Sequence, residues 1–158
     1  MLKPLAALLL VPLLVAVCSA APVKGDRAPD VTGVTSNGAP LALADYSGKV
    51  VVLDFFATWC ASCRQLTPLL VDLGKRYKLK VIGLDVDATG KDKLDTYIRE
   101  KGITYPVAAA SDKVQRDYGV RALPMVYVIG RDGRIAASFT GFNRQIAATL
   151  EALVKSLQ

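Results

Sequence analysis

The 158-residue chain is 52% hydrophobic and carries 20 Lys and Arg against 14 Asp and Glu, with three cysteines and no histidine. That length and apolar content suit one packed domain and require no second. A formal charge of +6 without aromatics interleaved among the bases speaks against a nucleic-acid binder, and the lack of histidine leaves too few soft ligands for a closed four-coordinate zinc site.

The first 20 residues stand apart, with Lys3 as their only charge, an apolar run from Leu5 to Val17 and small residues at Ser19, Ala20 and Ala21. This pattern predicts a signal peptide over 1–20, cut before Ala21, and a folded domain over 21–158. The run is short for a spanning helix, which wants about 20 apolar residues. A retained membrane anchor and lipidation at Cys18 are the alternatives, the latter weakened by Val17, which is larger than the residue expected there. Cleavage would remove Lys3, taking the formal charge from +6 to +5, and would remove Cys18. Cys60 and Cys63 would then be alone in an exported compartment, where disulfides persist. A pair so close in sequence closes too small a loop to constrain the unfolded chain much, so it reads as catalytic rather than structural.

From Ala21 to Gly48 the chain is rich in turn residues, and Asn37-Gly38 between two short apolar stretches predicts a hairpin. Val50 to Phe56 is a β-branched and aromatic run, expected as a strand buried on both faces. Leu66, Leu69, Leu70, Leu73 and Tyr77 then recur at helical spacing, so a helix begins near Cys60. The basic run from Lys75 to Lys80 should end that helix, where cations complement the negative end of its dipole. A second buried strand is expected over Lys80 to Val86 and a helix through Leu94, Tyr97 and Ile98 to Gly102. A short extended segment follows over Thr104 to Ala108, then a brief helix over Lys113 to Tyr118. Met125 to Ile129 and Ile135 to Phe139 flank an Asp132-Gly133 turn and form an antiparallel hairpin. Asn143 can cap a last helix whose Ile146, Leu150, Leu153, Val154 and Leu157 share one face. The order implies a three-layer α/β sandwich with a mixed sheet. Asp85 to Gly90 imitates a calcium loop, but Thr96 stands where that loop needs a bidentate glutamate, so a strand end and polar loop is the reading.

The reaction centre is expected where the first buried strand meets its helix. Unpaired N–H groups and the positive end of the dipole favour an anion there, lowering the pKa of Cys60 toward the nucleophilic thiolate. Cys63, one turn later, is placed to resolve whatever Cys60 attacks.

Trp59-Cys60-Ala61-Ser62-Cys63 after a strand, Pro68 in the following helix and Leu123-Pro124 opening a later strand resemble a thioredoxin-fold protein. More narrowly, the chain resembles the exported TlpA/ResA-like thiol-disulfide oxidoreductases. Gly25-Asp26-Arg27-Ala28-Pro29-Asp30, the approach Gly48 to Val52, Gly102 to Val107 and Tyr118 to Pro124 match that pattern, across Gly25 to Leu157. The resemblance implies a thioredoxin-like three-layer sandwich with a central mixed β-sheet and an N-terminal β-hairpin extension. It implies a cis Leu123-Pro124 bond beside the active site, with Trp59, Leu123 and Pro124 binding substrate and Cys60 and Cys63 forming a redox-active disulfide.

Thioredoxins carry a buried aspartate at the position of Asp54. Burial would raise its pKa and let it take the proton of Cys63, whereas a strand-end carboxylate facing solvent would do neither. Three departures bear on this. Leu66 replaces a glutamate frequent in ResA-like members, while Asp54 stands where many TlpA-like members have asparagine. Gly83 occupies the position of the lysine that partners the thioredoxin aspartate.

The reaction implied is dithiol–disulfide exchange, needing no cofactor or metal. Ala61-Ser62 offers no histidine to stabilise the thiolate, so a reducing role is expected on disulfide-containing exported proteins, cytochrome c maturation among the settings. A membrane electron donor and a monomeric state complete the expectation. A peroxiredoxin-like peroxidase is the nearest rival, but its threonine belongs three residues before the cysteine and Thr58 stands two before Cys60. A copper(I) chaperone using the two thiolates is the other.

Overall fold

The computed structural model describes residues 20–87 and 90–158. The expected leader with Cys18, and Ala88 and Thr89 of the calcium-like loop, lie outside the described residues.

Turn chemistry shapes the first segment. Thr32–Val34 (β1) and Pro40–Ala42 (β2) pair antiparallel around the Asn37-Gly38 turn, where Gly38 takes φ +87°. A short 3-10 turn over Leu43–Tyr46 leads to Val50–Phe56 (β3), whose seven residues are all buried. Ala61–Arg76 (α1) and Leu79–Asp85 (β4) follow, then Lys91–Glu100 (α2), Val107–Ala109 (β5) and Asp112–Asp117 (α3). Met125–Ile129 (β6) and Ile135–Thr140 (β7) make the expected hairpin, and Arg144–Ser156 (α4) closes the chain. Asn143 caps α4 as expected, its Oδ1 accepting from Ile146 N at 2.8 Å.

Two expectations shift. The extended segment expected from Thr104 pairs only from Val107, because Pro106 has no N–H to give a ladder; its carbonyl instead accepts from Gly83 N. The basic run does not end one element: α1 stops at Arg76, and Lys80 already stands on β4. Arg76 turns back to pair with Asp72 and Glu151, tying α1 to α4.

The central sheet runs β5-β4-β3-β6-β7. β3, β4 and β5 are parallel, while β6 and β7 are antiparallel additions, so the sheet is mixed with β3 at its centre. The N-terminal extension reaches both edges of this sheet. Arg27 bridges Arg134 beside β7, and Thr35 bridges Ala108 of β5. Both edges thereby gain partners for backbone groups that would otherwise invite other chains.

Alternation along β3 separates two cores. Val51, Leu53 and Phe55 face a cluster with Val114, Tyr118 and Tyr127, closed over by Ala28, Val31 and Leu41 of the extension. Val50 and Val52 face α1 and α4 through Leu66, Leu70, Leu73, Leu150 and Val154. Phe56 continues that second face toward the cysteines, stacked on Tyr97 of α2 with ring centroids 5.3 Å apart. The result is the expected three-layer sandwich.

Candidate active site

The site begins where β3 runs out of partners. Ala57-Thr58-Trp59 turn the chain, with Cys60 N donating to Ala57 O at 3.1 Å. Arg64 fastens the turn from the helix side, its guanidinium donating twice to Thr58 O at 3.1 and 2.9 Å. Cys60 is thereby the N-cap of α1, in extended conformation, and its Sγ accepts from Cys63 N at 3.2 Å. A sulfur at this position meets a helix N–H and the positive end of the dipole, both of which favour the thiolate once the pair is reduced. Cys60 and Cys63 form a disulfide, with Cα atoms 5.3 Å apart.

The two sulfurs differ in access. Cys60 lines a groove of about 740 Å³ across the end of the sheet, whereas Cys63 is fully buried and takes no part in its wall. Trp59 forms one wall, 67% exposed, with its indole Nε1 donating to Asp87 Oδ2 at 2.9 Å. The other wall holds Val120, Arg121 and Leu123, and the Leu123-Pro124 bond is cis as the resemblance implied. Pro124 is buried just before β6, where a missing N–H costs no ladder bond. Val86, Gln115 and Arg121 also line the groove and were not singled out from sequence, since they come from three separate loops and elements.

Asp54 faces the second core. Its place on β3 between Val52 and Phe56 puts it on the side that α1 covers. At 1% exposure its carboxyl is pushed up to about 7, from an ordinary 3.8, by burial. The strand-end alternative facing solvent is therefore set aside. Across the strand pair stands no side chain, since Asp54 is in register with Gly83, and among the described residues its Oδ1 has no hydrogen-bond partner.

Two tyrosines, Tyr97 and Tyr105, feel this carboxyl electrostatically. Thr67, one turn beyond Cys63, donates to Cys63 O at 2.9 Å and shares a hydrogen bond of 3.1 Å with Tyr97. Tyr105 lies between the same two apolar clusters. Its hydroxyl is buried and unpaired by geometry, although Thr67 is close enough to oppose the rise that burial forces on this phenol. Thr67 had a signal in the sequence, since i and i+4 share a helix face. Among the described residues, no three His, Cys, Asp or Glu side chains converge as metal ligands, and no helix is long and apolar enough to cross a membrane.

The sequence matches the family model described as AhpC/TSA family over residues 24–138. The chain belongs to the AhpC/TSA family. Within it, the chain is 33% identical over 116 residues to the thioredoxin-like protein YneN of Bacillus subtilis, covering 71% of this chain and 68% of the relative. It is 31% identical over 137 residues to the thiol-disulfide oxidoreductase ResA of Bacillus thuringiensis, covering 84% and 78%. Among solved structures it resembles a Chlorobium tepidum protein provisionally described as the thiol:disulfide interchange protein DsbE. That match has a TM-score of 0.81 at 28% identity and covers 87% of this chain and 99% of the other. This member of the family is thus a TlpA/ResA-like thiol-disulfide oxidoreductase of thioredoxin fold, with a Cys60–Cys63 pair at bonding distance. Nothing in the site or among these relatives favours the peroxidase or the metal chaperone.

Proposed function

We propose that this oxidoreductase reduces disulfides of exported proteins, with Cys60 as the attacking thiol, Cys63 as the resolving thiol and Asp54 as the proton acceptor. The observation that carries the assignment is the difference in access: Cys60 lines the groove and Cys63 does not. Cys60 thiolate attacks one sulfur of a substrate disulfide, forming a mixed disulfide and releasing a substrate thiolate. Cys63 then passes its proton to the Asp54 carboxylate and attacks Cys60 Sγ. The Cys60–Cys63 disulfide forms, the second substrate thiolate leaves, and the proton held by Asp54 returns to it. A carboxyl near 7 suits this duty, because it both accepts and releases a proton around neutral pH.

In this reading Trp59, Leu123 and Pro124 are substrate-binding residues, with an extended substrate segment lying along the groove past the cis bond. Each turnover consumes the dithiol, so an outside reductant must restore it; export makes a membrane electron donor the natural source. The leader over 1–20 and a cut before Ala21 are part of the proposal, and N-terminal sequencing of the exported protein reads the cut. Oxidised apocytochrome c in its maturation and misoxidised exported proteins in general both offer disulfides of this kind.

The test is partial alkylation of the reduced protein with iodoacetamide, followed by mass mapping. Cys60 should be labelled first, and labelling should be half-complete at a pH below the ordinary free-cysteine value of about 8.5. Preferential labelling of Cys63 would reverse the roles.

A further inference from the structure

Asp54 Oδ1 and the Tyr105 hydroxyl are, among the described residues, buried side-chain polar atoms without a hydrogen-bond partner. They belong to one corner of the molecule. Asp54 pairs in register with Gly83, and a Cβ built on Gly83 would lie 3.2 Å from Tyr105 Cε2, with Phe56 Cε1 at 3.2 Å and Val107 Cγ2 at 3.1 Å. The Tyr105 ring therefore fills the space over position 83 that a side chain would take. It does so on the Asp54 side of the sheet, since Tyr105 packs against both the Val52 and the Phe56 clusters. The Asp54 carboxyl acts electrostatically on this phenol, and burial holds the phenol protonated, so at working pH it is a donor. Two unpaired buried polar groups that act on one another electrostatically each carry a desolvation penalty that a shared hydrogen bond would remove.

We infer that Tyr105 is a positioning residue for the exchange reaction, its hydroxyl donating toward Asp54 Oδ1 across one bridging water. Gly83 is what admits it: any larger residue there displaces the ring. The inference rests on the proton-accepting role proposed for Asp54. A donor to the ionised carboxylate favours that form, so Tyr105 offsets part of the upward push of burial. The other titratable groups that face this corner from the elements around it include Cys63 at the start of α1, Tyr97 of α2 and Asp85 of β4, with Arg64 acting on Tyr97 from the rim. None of them supplies a second donor to Oδ1.

The experiment is a pair of variants and their combination, read by the pH dependence of the resolving step in single turnovers and by an NMR titration of 13C-labelled aspartate carboxyls in the oxidised protein. Tyr105→Phe keeps the ring and removes only the hydroxyl. It should raise the midpoint of both curves by about one pH unit, slowing resolution roughly tenfold below the midpoint and not at pH 9. In an Asp54→Asn background the same change should shift nothing. If Tyr105→Phe lowers the melting temperature but leaves both midpoints in place, Tyr105 only packs and the inference is overturned while Asp54 keeps its role. If Asp54→Asn itself leaves the kinetic profile unchanged, the proton-accepting role fails first, and the NMR midpoint still reports separately whether Tyr105 touches the carboxyl.

Discussion

Asp54 is a residue kept at a cost in stability. Its folded pKa of about 7 lies above the ordinary 3.8, so the folded chain holds a proton that the unfolded chain has lost. Below about pH 4 both states are protonated and the group is neutral to stability. Between about 4 and 7 stability falls as pH rises, and above 7 the penalty is constant. At about 1.4 kcal/mol per unit the ceiling is near 4 kcal/mol, and an asparagine gives part of that back through its own buried amide. Asp54→Asn should therefore be more stable than the parent at pH 8, by on the order of 2 kcal/mol, and no more stable at pH 4. Urea unfolding at the two pH values measures it, and a gain independent of pH would contradict a buried, protonated Asp54. At this scale the sequence was legible where a residue's own chemistry conflicts with its surroundings: a carboxylate inside an apolar strand, two thiols at a helix start. Tyr105 carried no such conflict, because an aromatic beside a proline is ordinary until the fold packs its ring over Gly83, the register partner of Asp54.

At the scale of elements, the β3–β4 pair decides what can approach Asp54. Gly83 was read from sequence as a missing partner for the carboxylate, and the structure gives its positive use. Three side chains converge to within 3.1–3.2 Å of where a Cβ would be, closer than carbon atoms pack without displacement. Gly83→Ala should cost about 1–3 kcal/mol by overpacking, read as a lower midpoint in chemical denaturation with an unchanged slope. A neutral substitution would mean the Tyr105 ring yields freely. β3 was legible as a β-branched and aromatic run, α1 and α4 as helical repeats of apolar residues, and β6 and β7 from the Asp132-Gly133 turn between them. β5 starts later than its sequence suggests, since the residues from Thr104 onward continue a strand pattern that Pro106 cannot join. The groove was not legible at all: Val86, Gln115 and Arg121 meet only through the crossings of the chain.

Across the whole molecule, the N-terminal extension and the sheet form one body, with bridges at both sheet edges and three apolar residues in the shared core. That frame sets β3 at the centre of the sheet, at whose end the strand-to-helix turn presents Cys60. The turn-rich composition before Gly48 predicted the hairpin but not its reach, which depends on where β5 and β7 end. At the strand-to-helix turn, the two thiols divide the work between attack and resolution, and trapping the mixed disulfide separates the two roles. Purified Cys63→Ser and Cys60→Ser proteins, each reduced and mixed with a peptide disulfide, are compared by mass spectrometry under non-reducing conditions. The Cys63→Ser protein should retain a mixed disulfide on Cys60 that dithiothreitol removes, because serine is a poor nucleophile toward sulfur and its hydroxyl stays protonated. The Cys60→Ser protein should retain little. The reverse pattern, or no adduct on either, would contradict attack by Cys60 and resolution by Cys63.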